Sequence, residues 1–122
     1  MEFNKFVPKG WGYESWIVNK PEYCGKLLFF KKGKQCSLHY HILKDETFYV
    51  HQGEVAMLWS DDEPTTQDSK DIHLQQTILK SGDSFHIPRK RIHRVVALQD
   101  STVFEFSTQH FDSDSYRIEK GD

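Results

Sequence analysis

The chain has 122 residues, which suffice for one domain with a hydrophobic core and are too few for two ordinary ones. Its 16 basic and 18 acidic residues leave a net charge of −2 without long charged blocks, which argues against nucleic acid and anionic membranes as partners. The first residues lack the apolar core of a secretory signal, and no stretch approaches the roughly 20 apolar residues of a membrane span. We therefore expect a soluble, cytoplasmic protein in which Cys24 and Cys36 are free thiols.

Short runs rich in aromatic and β-branched residues recur along the chain and are typical of strands. They cover residues 16–18, 26–31, 47–51, 54–59, 76–79 and 102–107. Turn-forming residues separate these runs, and no window keeps a helical apolar period for three turns. This pattern predicts an all-β sandwich or closed barrel with little helix.

Two polar segments interrupt this pattern. Residues 60–71 are acidic and contain a proline, which predicts a long loop that is either a mobile connector or a lid over a substrate. Residues 109–122 are also mostly polar and are expected to form a tail packed against the barrel. We place one domain over residues 1–122, with an N-terminal strand at 8–20 and a core at 22–108.

Four residues have the chemistry and spacing of a metal site. His39 and His41 lie two apart, so a strand would project both imidazoles from one face. Glu46 follows after a turn, and a barrel can bring the distant His93 opposite these residues. Because a histidine in a strand is more often a hydrogen-bonded structural residue, the pair alone leaves both interpretations open. Three imidazoles and one carboxylate together would suit iron, nickel, manganese, cobalt or zinc.

The flanking residues resemble a known family. Gly33, His39, His41, Glu46 and Gly53 match the first motif of the cupin superfamily at every spacing. The resemblance implies a double-stranded β-helix, also called a jelly roll, in which one divalent metal ion is held by these two histidines, the glutamate and His93.

The second cupin motif is matched with two departures. Gly82, Pro88 and His93 stand at the usual positions, but Lys90 replaces a glycine and Ala97 replaces an asparagine. Glycines in both motifs are expected to be turn residues with positive φ. Lys90 therefore puts the usual conformation of the Pro-x-Gly turn in question.

Most of the chain is similar to the cupin-type mannose-6-phosphate isomerase domain. The similarity lies in residues 9–14, 44–50, 87–94 and 105–107, followed by Asp112, Asp114 and Arg117. His39 departs from that family, which usually has glutamine there. The resemblance implies a metal-dependent isomerase of a sugar or sugar phosphate.

An aldose–ketose interconversion needs a proton carrier and groups that bind the sugar. The carrier candidates are Glu105, Lys44 and His86, with Glu105 favoured. Arg89 and Arg94 belong to a basic cluster that would bind a phosphate, although it could equally be a solvated turn. Phe48 could stack on a sugar ring or belong to the core.

Other functions compatible with these residues are a small metal-dependent dioxygenase and a non-catalytic carbohydrate-binding cupin. A metal-free epimerase is disfavoured because it would leave four metal-ligand positions without a purpose. We also expect a homodimer, with the N-terminal strand that carries Trp11 and Trp16 as the contact element.

Overall fold

The computed structural model of the protein describes residues 5–64 and 71–122. These residues form eleven strands and a short 3-10 turn at Asp112–Asp114. The strands are β1 (Lys5–Lys9), β2 (Gly12–Asn19), β3 (Cys24–Phe30), β4 (Leu38–Tyr40), β5 (Glu46–Gln52), β6 (Glu54–Ser60), β7 (Gln75–Lys80), β8 (Ser84–Ile87), β9 (Ile92–Ala97), β10 (Ser101–Ser107) and β11 (Tyr116–Glu119).

The strands form two antiparallel sheets that share one interior. The larger sheet has the order β1-β2-β3-β10-β5-β8, and the smaller sheet has the order β11-β4-β9-β6-β7. Side chains from both sheets meet in one buried apolar cluster. This arrangement confirms the predicted all-β jelly-roll barrel. Within the described residues, no helix is long and apolar enough to cross a membrane.

The strands predicted from the sequence all overlap strands of the structure, and two terminal expectations are corrected. The N-terminal strand expected over residues 8–20 is a hairpin, because Gly10 and Trp11 turn the chain between β1 and β2. Residues 109–122 are more than a tail, since β11 pairs with β4 at the edge of the smaller sheet. Of the expected loop at 60–71, residues 65–70 lie outside the described residues.

The inward-facing side chains change character along the barrel axis. Along β3, Lys26, Leu28 and Phe30 all face the interior, because alternate residues of a strand share a face. Leu28 and Phe30 belong to the apolar cluster, which forms one end of a cavity, whereas Lys26 lines the same cavity outside that cluster. In the neighbouring strand, Val103 and Glu105 repeat this change. The barrel therefore has an apolar end and a polar end built from the same strands.

The turns of the two motifs keep the expected backbone conformation. Gly33, Gly53 and Gly82 have φ values of 83°, 97° and 93°, which confirms the positive φ predicted for them. Lys90 also has a positive φ, 73°, so the turn keeps its conformation although a lysine replaces the usual glycine. The Lys90 amide donates a hydrogen bond to the His41 carbonyl at 2.7 Å. That contact ties the turn before β9 to the segment that carries a proposed metal ligand.

The two N-terminal tryptophans are not free to anchor a partner. Trp11 is buried and stacks on Phe30, with ring centroids 4.2 Å apart. Trp16 lines the cavity at the polar end. Strand β1 does lie at the edge of its sheet, as an edge-to-edge contact would require. The predicted homodimer would therefore need backbone pairing at β1 instead of tryptophan anchors.

Candidate metal centre

Three histidines converge at the polar end of the barrel. His39 on β4 is the direct partner of His93 on β9, and their ring centroids are 4.4 Å apart. His41 follows β4 by one residue, and its ring centroid lies 4.9 Å from that of His39. One ring nitrogen from each histidine lies within 4.8 Å of the other two. This group can hold a metal ion.

Backbone carbonyls fix the orientation and tautomer of all three rings. Each Nδ1 lies within hydrogen-bond distance of a carbonyl oxygen, and these belong to Ser37, Asp114 and Arg91, at 2.9, 3.0 and 3.0 Å. Because a carbonyl oxygen only accepts hydrogen bonds, each Nδ1 carries the proton and donates it. In a neutral ring Nε2 then has a free lone pair, which is the state a histidine needs to bind a metal.

Glu46 completes the cluster as the first residue of β5. Its Oε2 lies 3.3 Å from His41 Nε2 and 3.2 Å from His93 Nε2. No proton lies between these atoms if both nitrogens are unprotonated, so acceptors face acceptors. Among the described residues, Glu46 Oε1, Glu46 Oε2 and His93 Nε2 are buried without a hydrogen-bond partner. Buried polar atoms rarely lack a hydrogen-bond partner. A divalent cation bound by these atoms would satisfy all three, so the donor set fits a metal.

The charge states of the cluster agree with this fit. Burial, together with the neighbouring rings, holds the pKa of His39 well below its ordinary value. Burial likewise lowers the pKa of His41 to about 4, against the attraction of Glu46. Burial alone would raise the pKa of Glu46, but the Lys44 ammonium outweighs it and holds that pKa well below its usual range. At neutral pH the site thus presents neutral His39 and His41 and an ionised carboxylate, as metal binding requires.

Lys44 links Glu46 to a second buried carboxylate. Its Nζ lies 3.4 Å from Glu46 Oε1 and donates a hydrogen bond to Glu105 Oε2 at 3.0 Å. Burial would lower the pKa of Lys44, but Glu105 and Glu46 raise it instead, so the ammonium stays charged. The same Nζ lies 3.1 Å from Nδ1 of His110, which must accept because an ammonium only donates. His110 Nε2 then donates to Asp112 Oδ1 at 3.0 Å.

Asp114 is a residue whose role sequence analysis did not identify. Its carboxylate accepts hydrogen bonds from the amides of Ile42, Leu43 and Lys44, at 2.9 to 3.2 Å. Its carbonyl holds the His41 ring. Asp114 therefore shapes the turn between two proposed ligands. The only signal in the sequence was its position in the segment that resembles the isomerase family.

Three of the proposed site residues are not brought to the cluster. His86 faces outward because its neighbours Phe85 and Ile87 face the interior, and it lies 2.6 Å from Asp45 at the surface. Arg94 faces away from the cavity because His93 and Val95 point into it.

Their contacts explain these positions. Arg94 donates to the Cys36 carbonyl and pairs with Glu119, so it anchors the C-terminal segment. Arg89 is exposed and donates to the Leu43 carbonyl. This placement does not agree with a direct role of His86 in proton transfer. It does not agree with a direct role of Arg89 or Arg94 in substrate binding either.

The other candidates line one cavity with the histidines. The cavity has a volume of about 610 Å³, and its wall includes Lys44, Glu105 and Phe48. The Phe48 ring centroid is 6.0 Å from that of His93. The larger sheet adds Trp16 and Lys26, which the sequence analysis did not place at the site. A small molecule in this cavity would meet the proposed metal and the Lys44–Glu105 pair together.

Comparison with known proteins supports the fold. Residues 26–109 match the family model described as Cupin domain. The capsular polysaccharide assembling protein CapF from Staphylococcus aureus has a TM-score of 0.79 at 17% identity, over 98% of this chain and 33% of CapF. KdgF from Halomonas sp. has a TM-score of 0.67 at 22% identity, over 83% of this chain and 81% of KdgF. Oxalate decarboxylase from Bacillus subtilis has a TM-score of 0.77 at 15% identity, over 94% of this chain and 30% of the enzyme.

The similarities to solved structures concern the fold. The chain spans about a third of the length of CapF and of oxalate decarboxylase, and the identities are low enough that the likeness shows the fold alone. No curated protein matches the chain by sequence. The family model covers well over half of the chain and contains all four proposed metal ligands. The chain belongs to the cupin family.

Proposed function

We propose that this cupin is a metal-dependent isomerase of a sugar or sugar phosphate, with one divalent ion held by His39, His41, Glu46 and His93. The observation that carries the proposal is the convergence of Glu46 Oε2 on the Nε2 atoms of His41 and His93, at 3.2 to 3.3 Å. Because these three atoms are all acceptors, a cation among them is the arrangement that satisfies them. A divalent ion there supplies Lewis-acid polarisation of the sugar's C1 and C2 oxygens.

Glu105 is the proposed proton carrier. An aldose becomes a ketose when one proton moves from C2 to C1, and a second moves from the C2 oxygen to the C1 oxygen. Glu105 lines the cavity, and its Oε2 accepts hydrogen bonds from Lys44 Nζ at 3.0 Å and from Ser107 Oγ at 3.2 Å. Its Oε1 is therefore the oxygen proposed to take the C2 proton. Lys44 is proposed to position Glu105.

The test is a turnover assay with a matched control. Metal-loaded protein is incubated without dioxygen with aldoses, sugar acids and aldose phosphates including mannose 6-phosphate, and ketose formation is followed by NMR. We expect turnover by the wild type and a loss of about 100-fold or more in Glu105→Gln. The exposed Glu22→Gln should keep full activity.

Two outcomes would contradict the proposal. No turnover across the panel by protein that holds one ion per chain would reject the isomerase. Substrate turnover that appears only when the incubation is repeated with dioxygen would favour the dioxygenase alternative instead. Metal analysis of Glu105→Gln has to show an unchanged metal content, since the proposal gives Glu105 no part in holding the ion.

Homodimerisation and a cytoplasmic location stay predictions. The free thiols of Cys24 and Cys36 are compatible with a reducing compartment. Burial raises the pKa of Cys36 to about 11, so this thiol is protonated at neutral pH. Light scattering tests the dimer, and a monomer would reject it.

A further inference from the structure

We infer that Lys26 and Trp16 form a subsite for the acid group of the substrate, a carboxylate or a phosphate, on the cavity wall formed by the larger sheet. The inference rests on the proposed function in one respect: it assumes that the metal binds the sugar end of the same molecule. It narrows the substrate class from sugars in general to anionic sugars.

Lys26 is a cation on the cavity wall whose side chain is largely buried and whose nearest carboxylate lies beyond hydrogen-bond distance. Its side chain is 3% exposed. Within residues 5–64 and 71–122, the carboxylate oxygen within 4 Å of its Nζ is Glu14 Oε1, at 3.7 Å, which is longer than a hydrogen bond. The face of the Trp16 ring lies 4.0 Å from the same Nζ. A buried ammonium carries three N–H donors and normally has closer partners.

The carboxylate best placed to pair with Lys26 is used elsewhere. Lys26 on β3 and Glu105 on β10 are direct cross-strand partners. The Glu105 carboxylate nevertheless binds Lys44 Nζ and Ser107 Oγ. Glu14 Oε1 is also shared, because it accepts a hydrogen bond from Trp16 Nε1 at 2.8 Å. Lys26 is therefore left with one distant, shared carboxylate.

The charges of the cavity favour an anion. Its wall carries six basic and five acidic side chains, the basic ones being Lys5, Lys9, Lys26, Lys44, Arg117 and Lys120 and the acidic ones Glu14, Glu46, Glu105, Asp112 and Asp122. A divalent ion at the proposed site would add two positive charges, so the cavity would carry a net positive charge. An acid group on the substrate would reduce that charge and supply acceptors for Lys26.

Trp16 positions Lys26 in this subsite. Its ring contacts Lys26, and the Lys5 Nζ lies 4.4 Å from the ring centroid. In the larger sheet, Trp16, Lys26, Glu105 and Phe48 are successive cross-strand partners. They form one inward-facing row with an aromatic ring at each end. A sugar lying along this row would place its acid group at Lys26 and its reacting carbons near Glu105.

The test measures binding without turnover. Methyl mannoside, its 6-phosphate and the methyl glycoside of mannuronate cannot open their rings, so calorimetry on Zn²⁺-loaded protein reports binding alone. We expect at least one charged glycoside to bind about tenfold or more tightly than methyl mannoside, as expected for a charge-assisted hydrogen bond. The phosphate and carboxylate arms identify which acid group the subsite takes.

Three variants separate a binding role from a structural one. Lys26→Met should remove the preference for charged glycosides, while Lys31→Met, which removes an exposed lysine after β3, should keep it. Glu14→Gln removes the competing charge and keeps an oxygen that can accept from Trp16, so it should bind the charged glycosides more tightly. Such a gain cannot come from misfolding.

Several results would overturn the inference: no binding of the charged glycosides, equal affinity for charged and neutral glycosides, or a preference that survives Lys26→Met. The subsite and the isomerase can fail separately. A charge preference that depends on Lys26, without turnover of any reducing sugar, would support the subsite and reject the isomerase. Turnover of a reducing sugar without a preference for charged glycosides would support the isomerase and reject the subsite.

Discussion

The two ends of the barrel interior come from the same strands, two residues apart, yet they differ in what stabilises them. At the apolar end, Leu28, Phe30 and Val103 pack against one another. At the polar end, Lys26 and Glu105 continue the same strands, where charged groups replace apolar ones. Apolar burial stabilises the first end, whereas the second leaves buried acceptors unpaired, which a bound cation would satisfy.

The largest expected effect is a loss of metal binding at the polar end that leaves the apolar end intact. We expect His41→Ala to abolish metal binding, because it removes one of four proposed ligands and breaks the link to the Asp114 carbonyl. The control is His73→Ala, since the His73 side chain is 95% exposed. Metal content per chain, measured after purification and after reloading, checks this. Equal metal in both variants would exclude His41 as a ligand.

The converse change breaks the apolar end. Phe30→Ala should lower the free energy of unfolding by about 3 to 5 kcal/mol, because it leaves a cavity beside Trp11. The control, Phe106→Ala, truncates a side chain that is 55% exposed and should cost far less. Urea unfolding measures both. If the two ends are separate, Phe30→Ala still binds one ion per chain, and a loss of metal by the folded variant would show that they are coupled.

Acid should weaken the polar end of metal-free protein. The pKa of His41 falls from 6.5 to about 4 on folding, so the unfolded chain binds more protons between these values. The stabilisation is complete above pH 6.5 and is lost as the pH falls toward 4, by up to about 3 kcal/mol. His39 shifts in the same direction through burial. Glu46, whose pKa is also lowered, adds acid sensitivity only below its ordinary value of 4.5.

Urea unfolding of chelator-treated protein between pH 7 and 4.5 checks this pH dependence. A flat profile in the wild type would contradict the burial of neutral imidazoles.

The smallest expected effect concerns the Lys90 turn, which is hydrogen-bonded to the His41 carbonyl at the polar end. Lys90→Gly should stabilise the protein by less than about 1 kcal/mol, since relief of the positive φ is partly offset by greater freedom in the unfolded chain. The complementary Gly33→Ala should destabilise it, because that turn has a φ of 83° and open space around it, so backbone strain alone is tested. Thermal unfolding compares the two, and a loss of stability in Lys90→Gly would show that the lysine side chain matters there.

The sequence revealed more of the metal cluster than of the wall opposite it. His39, His41, Glu46 and His93 stand at fixed spacings, and spacing along strands carries over directly into which side chains meet. Lys26 and Trp16 lie far from these residues in the sequence. Only the pairing of β3 with β2 and β10 brings them to the cavity.

Strand direction explains the candidates that did not assemble. His86 and Arg94 each neighbour residues that face inward, and a shift of one position turns a side chain to the opposite face. His86 was expected to carry a proton and Arg94 to bind a phosphate, but the phase of each strand, which depends on Phe85 and Val95 packing inside, decides where they point.

The most direct test of the claim that the polar end is built around a cation is a crystal structure of metal-loaded protein with anomalous diffraction data. We expect one anomalous peak about 2.0 to 2.2 Å from Nε2 of His39, His41 and His93 and from a carboxylate oxygen of Glu46. A cluster without a peak, with Glu46 hydrogen-bonded to a histidine Nε2–H instead, would contradict it.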